Sequence, residues 1–122
     1  MPVVLLASAS ARRRAWLSDR LEDTTVTLEV AYLQTPEIAP SPGSEVRVQV
    51  EETCLSKASA AVMELTVENS RELPDYALVA DTLVEDPDDP QMPLGKAQNK
   101  ASATATLLRL SGRRHRVWSS TA

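Results

Sequence analysis

A short, continuous apolar run near the start of the chain, PVVLLAS at positions 2–8, most constrains the fold. Successive side chains of a strand point to opposite faces, so an apolar run rich in β-branched residues predicts a strand buried on both faces. Strands of that kind belong to parallel sheets covered by helices. Further along the chain, strand and helix patterns alternate in the order β-α-β-α-β-α-β. The sequence therefore predicts an α/β layered fold.

The other predicted elements follow from local spacing. Helices are predicted over positions 11–21, from Ser44 as N-cap onwards, and over 99–110, while strands are predicted over 24–33, 76–85 and 114–120. In the helix after Ser44, a single apolar stripe is expected at Val46, Val50, Cys54, Ala58, Ala61, Val62 and Leu65. Positions 34–44 and 86–95, which are rich in proline, are predicted loops. The acidic run within 85–89 and the basic residues within 109–116 are predicted to be solvated.

Composition and charge limit the classes of function. The 122 residues are 43% apolar and 25% charged, which is typical of one soluble globular domain over positions 1–122. The net charge of −4 argues against a nucleic-acid partner, because binding to phosphate backbones needs many basic contacts. No run approaches the ~20 apolar residues that span a bilayer, so no membrane partner is expected. The single cysteine, Cys54, forms no internal disulfide, which predicts a buried thiol in a cytoplasmic protein.

A basic cluster follows the first predicted strand, although the chain as a whole is acidic. In LLASASARRRAWL, positions 5–17, two serines and three arginines stand where a strand ends and a helix begins. A helix N-terminus offers backbone N–H groups to an anion, and arginine supplies paired donors for phosphate oxygens. The same residues also fit a helix start in which Ser8 or Ser10 is only a cap and the arginines are solvated. Glycine-rich phosphate loops are excluded, because the chain has only three widely spaced glycines.

Five short motifs, in order over nearly the whole chain, resemble those of the Maf family of nucleoside triphosphate pyrophosphatases, also called septum formation inhibitor proteins. They contain Ser8, Ser10, Arg12 and Arg13 in ASASARR; Lys57 and Ala58; Ala80, Asp81 and Thr82 in VADTLV; Gly95 and Lys96 in GKA; and Ser111, Gly112, His115 and Val117 in SGRRHRV. The chain departs from the family pattern at Ala11 and Ala97, where the family has prolines. A longer loop also separates Asp81 from Lys96.

The resemblance implies an inosine-triphosphatase-type fold with two lobes around a cleft. It implies hydrolysis of a pyrimidine or modified nucleoside triphosphate to the monophosphate and pyrophosphate. The implied roles are phosphate binding by Ser8, Ser10, Arg12 and Arg13, charge neutralisation by Lys57 and Lys96, and metal or water handling by Asp81. The implied cofactor is a divalent cation, Mg²⁺ or Mn²⁺, held by Asp81 and Glu37. Ordinary roles remain open at these positions: a turn residue at Asp81, surface amines at the lysines and a solvated carboxylate at Glu37.

The family continues beyond the point where this sequence stops, so the chain is expected to lack the family's C-terminal part. An α/β sheet ended early exposes an edge and an apolar face, which predicts a homo-oligomer or a complementary partner chain. The alternative to an enzyme is a catalytically incompetent module that binds a nucleotide or another anion, or an interaction module. A nucleotide pyrophosphatase is the preferred hypothesis, because the phosphate-binding residues and Asp81 are all present.

Overall fold

A computed structural model of the chain describes residues 2–36, 39–40, 43–67, 72–94 and 99–122. Within these residues the chain forms two three-stranded sheets and three helices, so the predicted α/β class is confirmed. In chain order the elements are β1 (Val3–Ala7), α1 (Ala11–Leu21), β2 (Thr27–Ala31), α2 (Val46–Val67), β3 (Tyr76–Leu78), β4 (Ala80–Asp86), β5 (Asp89–Leu94), α3 (Lys100–Leu110) and β6 (Val117–Thr121).

The elements fall into two compact units. Boundaries between them fall within α2, between Thr53 and Cys54, and within β4, between Ala80 and Asp81. The first unit consists of Met1–Ile38, Cys54–Ala80 and Thr121–Ala122, and the second of Ala39–Thr53 and Asp81–Ser120. The expectation of a single domain over positions 1–122 stays a prediction.

The sheet of the first unit has β1 at its centre, with β2 and β3 parallel to it on either side. Leu5 pairs with Glu29 on one side and with Ala77 on the other. Because β1 is central, Leu5 and Leu6 are only 2% exposed, and this confirms the prediction of a strand buried on both faces. The strand predicted over 24–33 is shorter than expected, because the Thr24 hydroxyl donates to the carbonyl of Leu21 and forms a turn there.

From Cys54 onwards, helix α2 packs against this sheet through part of the predicted apolar stripe. Cys54 and Ala61 are buried against Ala7 and Val79. Val62, however, is 63% exposed, so its place in the stripe was wrong. At about 100° per residue, Ala61 lies about 20° from Cys54 around the helix, whereas Val62 lies about 80° away.

Helix α2 begins one residue later than predicted. The carbonyl of Glu45, not of Ser44, accepts the first helical bonds, from the N–H groups of Val48 (2.9 Å) and Gln49 (3.0 Å). Gln49 is 1% exposed, and its Nε2 donates to the carbonyls of Ser44 (2.6 Å) and Gln91 (2.9 Å). A buried side-chain amide thus ties the start of α2 to β5.

The strand predicted over 76–85 is divided between the two sheets. The division falls at Val79, whose N–H and carbonyl both bond to Ala122, at 2.9 and 3.0 Å. Before it, β3 pairs with β1; after it, β4 pairs with β5 and β6. One continuous apolar pattern therefore contributes a strand to each unit.

The prediction of a loop over 86–95 was wrong for most of its length. Strand β5 pairs antiparallel with β4, with Val84 opposite Leu94 and Glu85 opposite Pro93. The strand order is β5-β4-β6, so β5 lies at an edge of its sheet. Proline cannot donate a ladder hydrogen bond, but an edge strand has one side that needs no partner. The edge position therefore tolerates the prolines that had indicated a loop.

The sequence predicted that the acidic and basic clusters of the second unit are solvated. In the structure, two residues of each cluster pair with each other instead. Asp86 is 4% exposed and accepts hydrogen bonds from Arg109 Nε (2.8 Å) and Nη2 (3.0 Å). Asp88 accepts from both terminal nitrogens of Arg113. The two pairs join the β4–β5 turn to the end of α3.

Gly112 lies just past the end of α3, as predicted, and its φ of +68° is in the left-handed region that favours glycine.

These pairs predict an acid-sensitive second unit. Hydrogen bonds from Arg109 and from the N–H of Asp88 lower the pKa of Asp86, and those from Arg113 lower the pKa of Asp88. Because both folded-state pKa values lie below the ordinary value near 3.8, their stabilisation is complete above about pH 4 and is lost as the pH falls through the lowered values. We expect the melting temperature to fall below about pH 4, and to fall less steeply in Asp86→Asn. The exposed Asp19 supplies the control, Asp19→Asn. Equal pH slopes for the wild-type protein and Asp86→Asn would contradict this prediction.

Candidate functional site

The strand-to-helix junction after β1 is built around two serines. β1 ends at Ala7, and α1 begins at Ala11 with Ser10 as its N-cap, whose Oγ accepts a hydrogen bond from the N–H of Arg13 at 3.3 Å. Ser8 Oγ accepts from the N–H of Ser10 at 3.1 Å. The capping role considered for Ser10 is therefore present. It does not exclude anion binding, because each hydroxyl keeps its own proton as a donor.

Two cationic side chains of the first unit converge on one backbone carbonyl. Arg13 Nη1 donates to the carbonyl oxygen of Ala80 at 3.2 Å, and Lys57 Nζ donates to the same oxygen at 3.5 Å. Both side chains are half-buried. The shared carbonyl oxygen brings the ends of the two cationic side chains close together, and both are donors of the kind that bind anionic groups.

The packing of α2 explains why Lys57 reaches Ala80. Cys54 is fully buried and its thiol contacts the carbonyl of Val79 at 3.9 Å. Residues three apart lie on one face of a helix, so Lys57 stands one turn beyond Cys54. Ala80 directly follows Val79, so the contact between Cys54 and Val79 places the Lys57 ammonium at the carbonyl of Ala80. The sequence had put Lys57 at the edge of the stripe, and the structure agrees.

The remaining predicted site residues differ in placement. Arg12 is exposed, and so is His115. Asp81, the first residue of the second unit, follows Ala80 in β4 and is half-buried. Glu37 and Lys96 lie outside the described residues, so their roles stay predictions.

A small cavity of the first unit lies where β1 and β2 end. Its volume is about 50 Å³, and Ala7, Ala31, Leu33 and Glu64 contribute to its lining. Pockets that bind small molecules usually measure about 300–1,000 Å³. The cavity is too small to be a nucleotide pocket by itself.

Neither a metal-binding cluster nor a membrane-spanning helix is present among the residues that the structure describes. Among the described residues, no three His, Cys, Asp or Glu side chains form a cluster that would hold a metal without further ligands. Over that same part of the chain, no helix combines the length and the apolar character required to cross a bilayer.

Fold and site together define an α/β protein in which cationic side chains converge in the same unit as a serine-rich strand-to-helix junction. Paired donors of this kind suit phosphate or carboxylate groups. Comparison with known proteins gives the family: the profile described as Maf-like protein matches residues 3–122. The chain belongs to the Maf family, as the motifs had indicated.

Two individual proteins illustrate the likeness. A curated protein named dTTP/UTP pyrophosphatase, from Akkermansia muciniphila, is 35% identical over 118 residues, which is 96% of this chain. The match covers 54% of that relative, so the chain spans about half its length. A crystal structure of a nucleoside-triphosphatase (dITP/XTP pyrophosphatase) from Mycobacterium abscessus aligns with 98% of this chain and 70% of its own, at 17% identity and a TM-score of 0.48.

Sequence reasoning missed two features of the first unit. The carbonyl of Ala80 is a backbone group, and nothing in an alanine's side chain signals that two cations will meet at its oxygen. The second feature is Glu64, which accepts hydrogen bonds from the segment after β2. Glu64 follows Lys57 by seven residues, so the two share a helix face, and this spacing was the only sequence signal for a role of Glu64.

Proposed function

We propose that the chain provides the phosphate-binding part of a nucleoside triphosphate pyrophosphatase, which hydrolyses a pyrimidine or modified nucleoside triphosphate to its monophosphate and pyrophosphate. The observation that carries the proposal is the convergence of Arg13 and Lys57 on Ala80. Membership of the Maf family supports it, and so does the name of the relative from Akkermansia muciniphila.

In the proposed reaction, several side chains bind the phosphates and one carboxylate activates the attacking water. A water oxygen bonds to the α-phosphorus, the bond to the bridging oxygen of the β-phosphate breaks, and pyrophosphate leaves with the electron pair. The substrate is a polyanion, so positioning and charge stabilisation dominate the catalysis. Ser8, Ser10, Arg12, Arg13, Lys57 and Lys96 would bind the phosphates, and Asp81 would take the proton of the attacking water.

A divalent cation, Mg²⁺ or Mn²⁺, is part of this proposal. Asp81 offers carboxylate oxygens, and Glu37 is proposed as the second acidic ligand. Magnesium is commonly bound by one or two carboxylates together with substrate phosphates, so this donor set fits the ion. When bound, the cation neutralises phosphate charge and polarises the reacting phosphoryl group.

The test is pyrophosphate release from UTP, dTTP, CTP and modified pyrimidine triphosphates, each with Mg²⁺ or Mn²⁺. We expect equal amounts of monophosphate and pyrophosphate, with turnover lost on chelation of the metal. Release of inorganic phosphate and a diphosphate instead would contradict the proposed bond cleavage.

A second candidate function is nucleotide or anion binding without turnover. It is favoured by the grouping of Ser8, Ser10, Arg13 and Lys57 within the first unit, because these groups need nothing from the second unit to contact phosphates. In the same assay, no product with any triphosphate, together with a melting temperature raised by nucleotide, would establish this alternative.

We also propose that the protein associates with itself or with a complementary chain. Leu107 and Leu108 of α3 are 68% and 72% exposed, and no residue of α3 is buried. Large exposed apolar side chains on one helix favour association. Sedimentation velocity at micromolar concentration is expected to detect a species larger than the monomer; a single monomeric species contradicts the proposal.

A cytoplasmic location, proposed from the unpaired and buried Cys54, is testable by cell fractionation.

A further inference from the structure

Trp118 is the one aromatic residue of the second unit, since positions 39–53 and 81–120 contain no other Trp, Tyr or Phe. It lies in β6 and is half-buried, so its ring belongs neither to the core nor to the open surface. Its Nε1 donates a hydrogen bond to Glu85 Oε1 at 3.1 Å. This bond fixes the orientation of the indole and uses the edge of the ring, not its π-faces.

The pairing of β4 with β6 gives the position of Trp118 along the sheet. The N–H of Glu85 donates to the carbonyl of Arg116 at 2.8 Å, and the hydroxyls of Thr82 and Ser119 are hydrogen-bonded at 2.8 Å. The two strands are therefore antiparallel, and each step along β4 is matched by one step back along β6. In this register Trp118 stands opposite the residue that follows Thr82.

Trp118 lies on the same face of the sheet as Asp81. Side chains alternate between the two faces of a strand, so Asp81 and Glu85 share one face of β4. Trp118 is on that face too, because its side chain bonds to Glu85. Asp81 and Trp118 are then diagonal neighbours on adjacent strands, and such neighbours lie about 7–8 Å apart, within reach of an aromatic side chain.

We propose that Trp118 binds the nucleobase of the substrate by stacking. In the proposed reaction, water attacks the α-phosphorus beside Asp81, and the ribose alone separates that phosphorus from the base. The base therefore lies one sugar away from Asp81, on the scale of the distance to its diagonal neighbour. Every base has a π-face, so stacking on indole holds the base without selecting among bases. This inference rests on the proposed function, to which it adds a subsite for the base.

The test measures the fluorescence of Trp118. Trp16→Phe leaves Trp118 as the only tryptophan, and Trp118→Phe leaves Trp16 as the control. Trp16 lies in α1, is 60% exposed and has the Arg20 guanidinium 5.2 Å from its ring centroid. The probes are α,β-methylene-UTP, in which the bond to be cleaved is replaced, and inorganic tripolyphosphate, which has phosphates but no base. Each is titrated with Mg²⁺, and calorimetry measures its binding in parallel.

In Trp16→Phe we expect the UTP analogue to quench Trp118 fluorescence with the midpoint that calorimetry gives for binding. Tripolyphosphate should bind without quenching, and Trp16 in Trp118→Phe should respond to neither probe. Trp118→Leu, which lacks a π-face, should raise the Kd of the analogue about tenfold, within the range for the loss of one stacked base. Its Kd for tripolyphosphate should be unchanged, as should both constants in Trp16→Leu.

Melting temperatures identify a variant that does not fold. The titration of Trp16→Phe still decides the question in that case, because Trp118 itself is intact there. Two results would overturn the inference: calorimetric binding of the analogue without quenching of Trp118, and equal quenching by tripolyphosphate, which contains no base. If neither UTP nor its analogue bound in calorimetry, the proposed function would fail and the inference with it. The calorimetric result therefore distinguishes the two failures.

Discussion

Asp81→Asn is expected to reduce kcat for pyrophosphate release by roughly 10²- to 10⁴-fold, the range associated with loss of a general base. Asparagine keeps the size of the half-buried side chain but cannot accept a proton or supply a full negative charge. The nucleotide should still raise the melting temperature of this variant, because the proposed phosphate ligands of the first unit are unchanged. The measurement is the rate of pyrophosphate release at saturating nucleotide and metal.

The matched control is Asp89→Asn, a change at an exposed aspartate in β5 of the same unit. It is expected to leave kcat within about twofold. The role of Asp81 would be wrong if Asp81→Asn kept wild-type turnover. Equal losses in both variants would instead point to a general effect of charge or of folding on the second unit.

Arg13→Ala is expected to lower kcat/KM by about 10- to 100-fold, the loss that follows from removing hydrogen bonds to a charged group. Arg13 is the arginine whose guanidinium is oriented by the Ala80 carbonyl, at 3.2 Å. Arg13→Lys should recover only part of the loss, because an ammonium keeps the charge without the planar pair of donors. Steady-state kinetics measure the change in kcat/KM, and the rise in melting temperature on adding nucleotide measures the change in nucleotide binding.

Arg14→Ala is the control for Arg13, since Arg14 is the next residue of α1 and is exposed. It removes the same charge from the same helix turn, and we expect less than a threefold effect. If both variants lost activity equally, the arginine cluster would act through its general positive potential. The assignment of Arg13 as a positioned phosphate ligand would then be wrong.

The elements set by local interactions were predictable. The bounds of α1 follow from its N-cap serine and its spacing, and α3 begins after Asn99, whose side chain accepts from the N–H of Ser102. β1 was identified because an unbroken apolar run is stable only in the middle of a covered sheet. The burial of Cys54 was expected both from helical periodicity and from the absence of a second cysteine.

Contacts between distant segments were not predictable. Asp86 and Arg109 each looked like part of a solvated cluster, because neither run shows in its own pattern that the other lies beside it. Likewise, β5 carries three turn-forming signals within one strand, and only its edge position makes a strand possible there. Local propensity describes a segment by itself, whereas pairing depends on what the rest of the chain brings next to it.

The sequence by itself determined the family, the α/β class and the residue types of the candidate site, because motif order and apolar periodicity are properties of one dimension. Only the tertiary structure decided that Val79 divides one apolar run between two sheets, and that Arg13 and Lys57 meet at the carbonyl of Ala80. A backbone oxygen has the same chemistry at every residue. Its selection as the meeting point therefore follows from packing, which brings α1 and α2 to the same strand end.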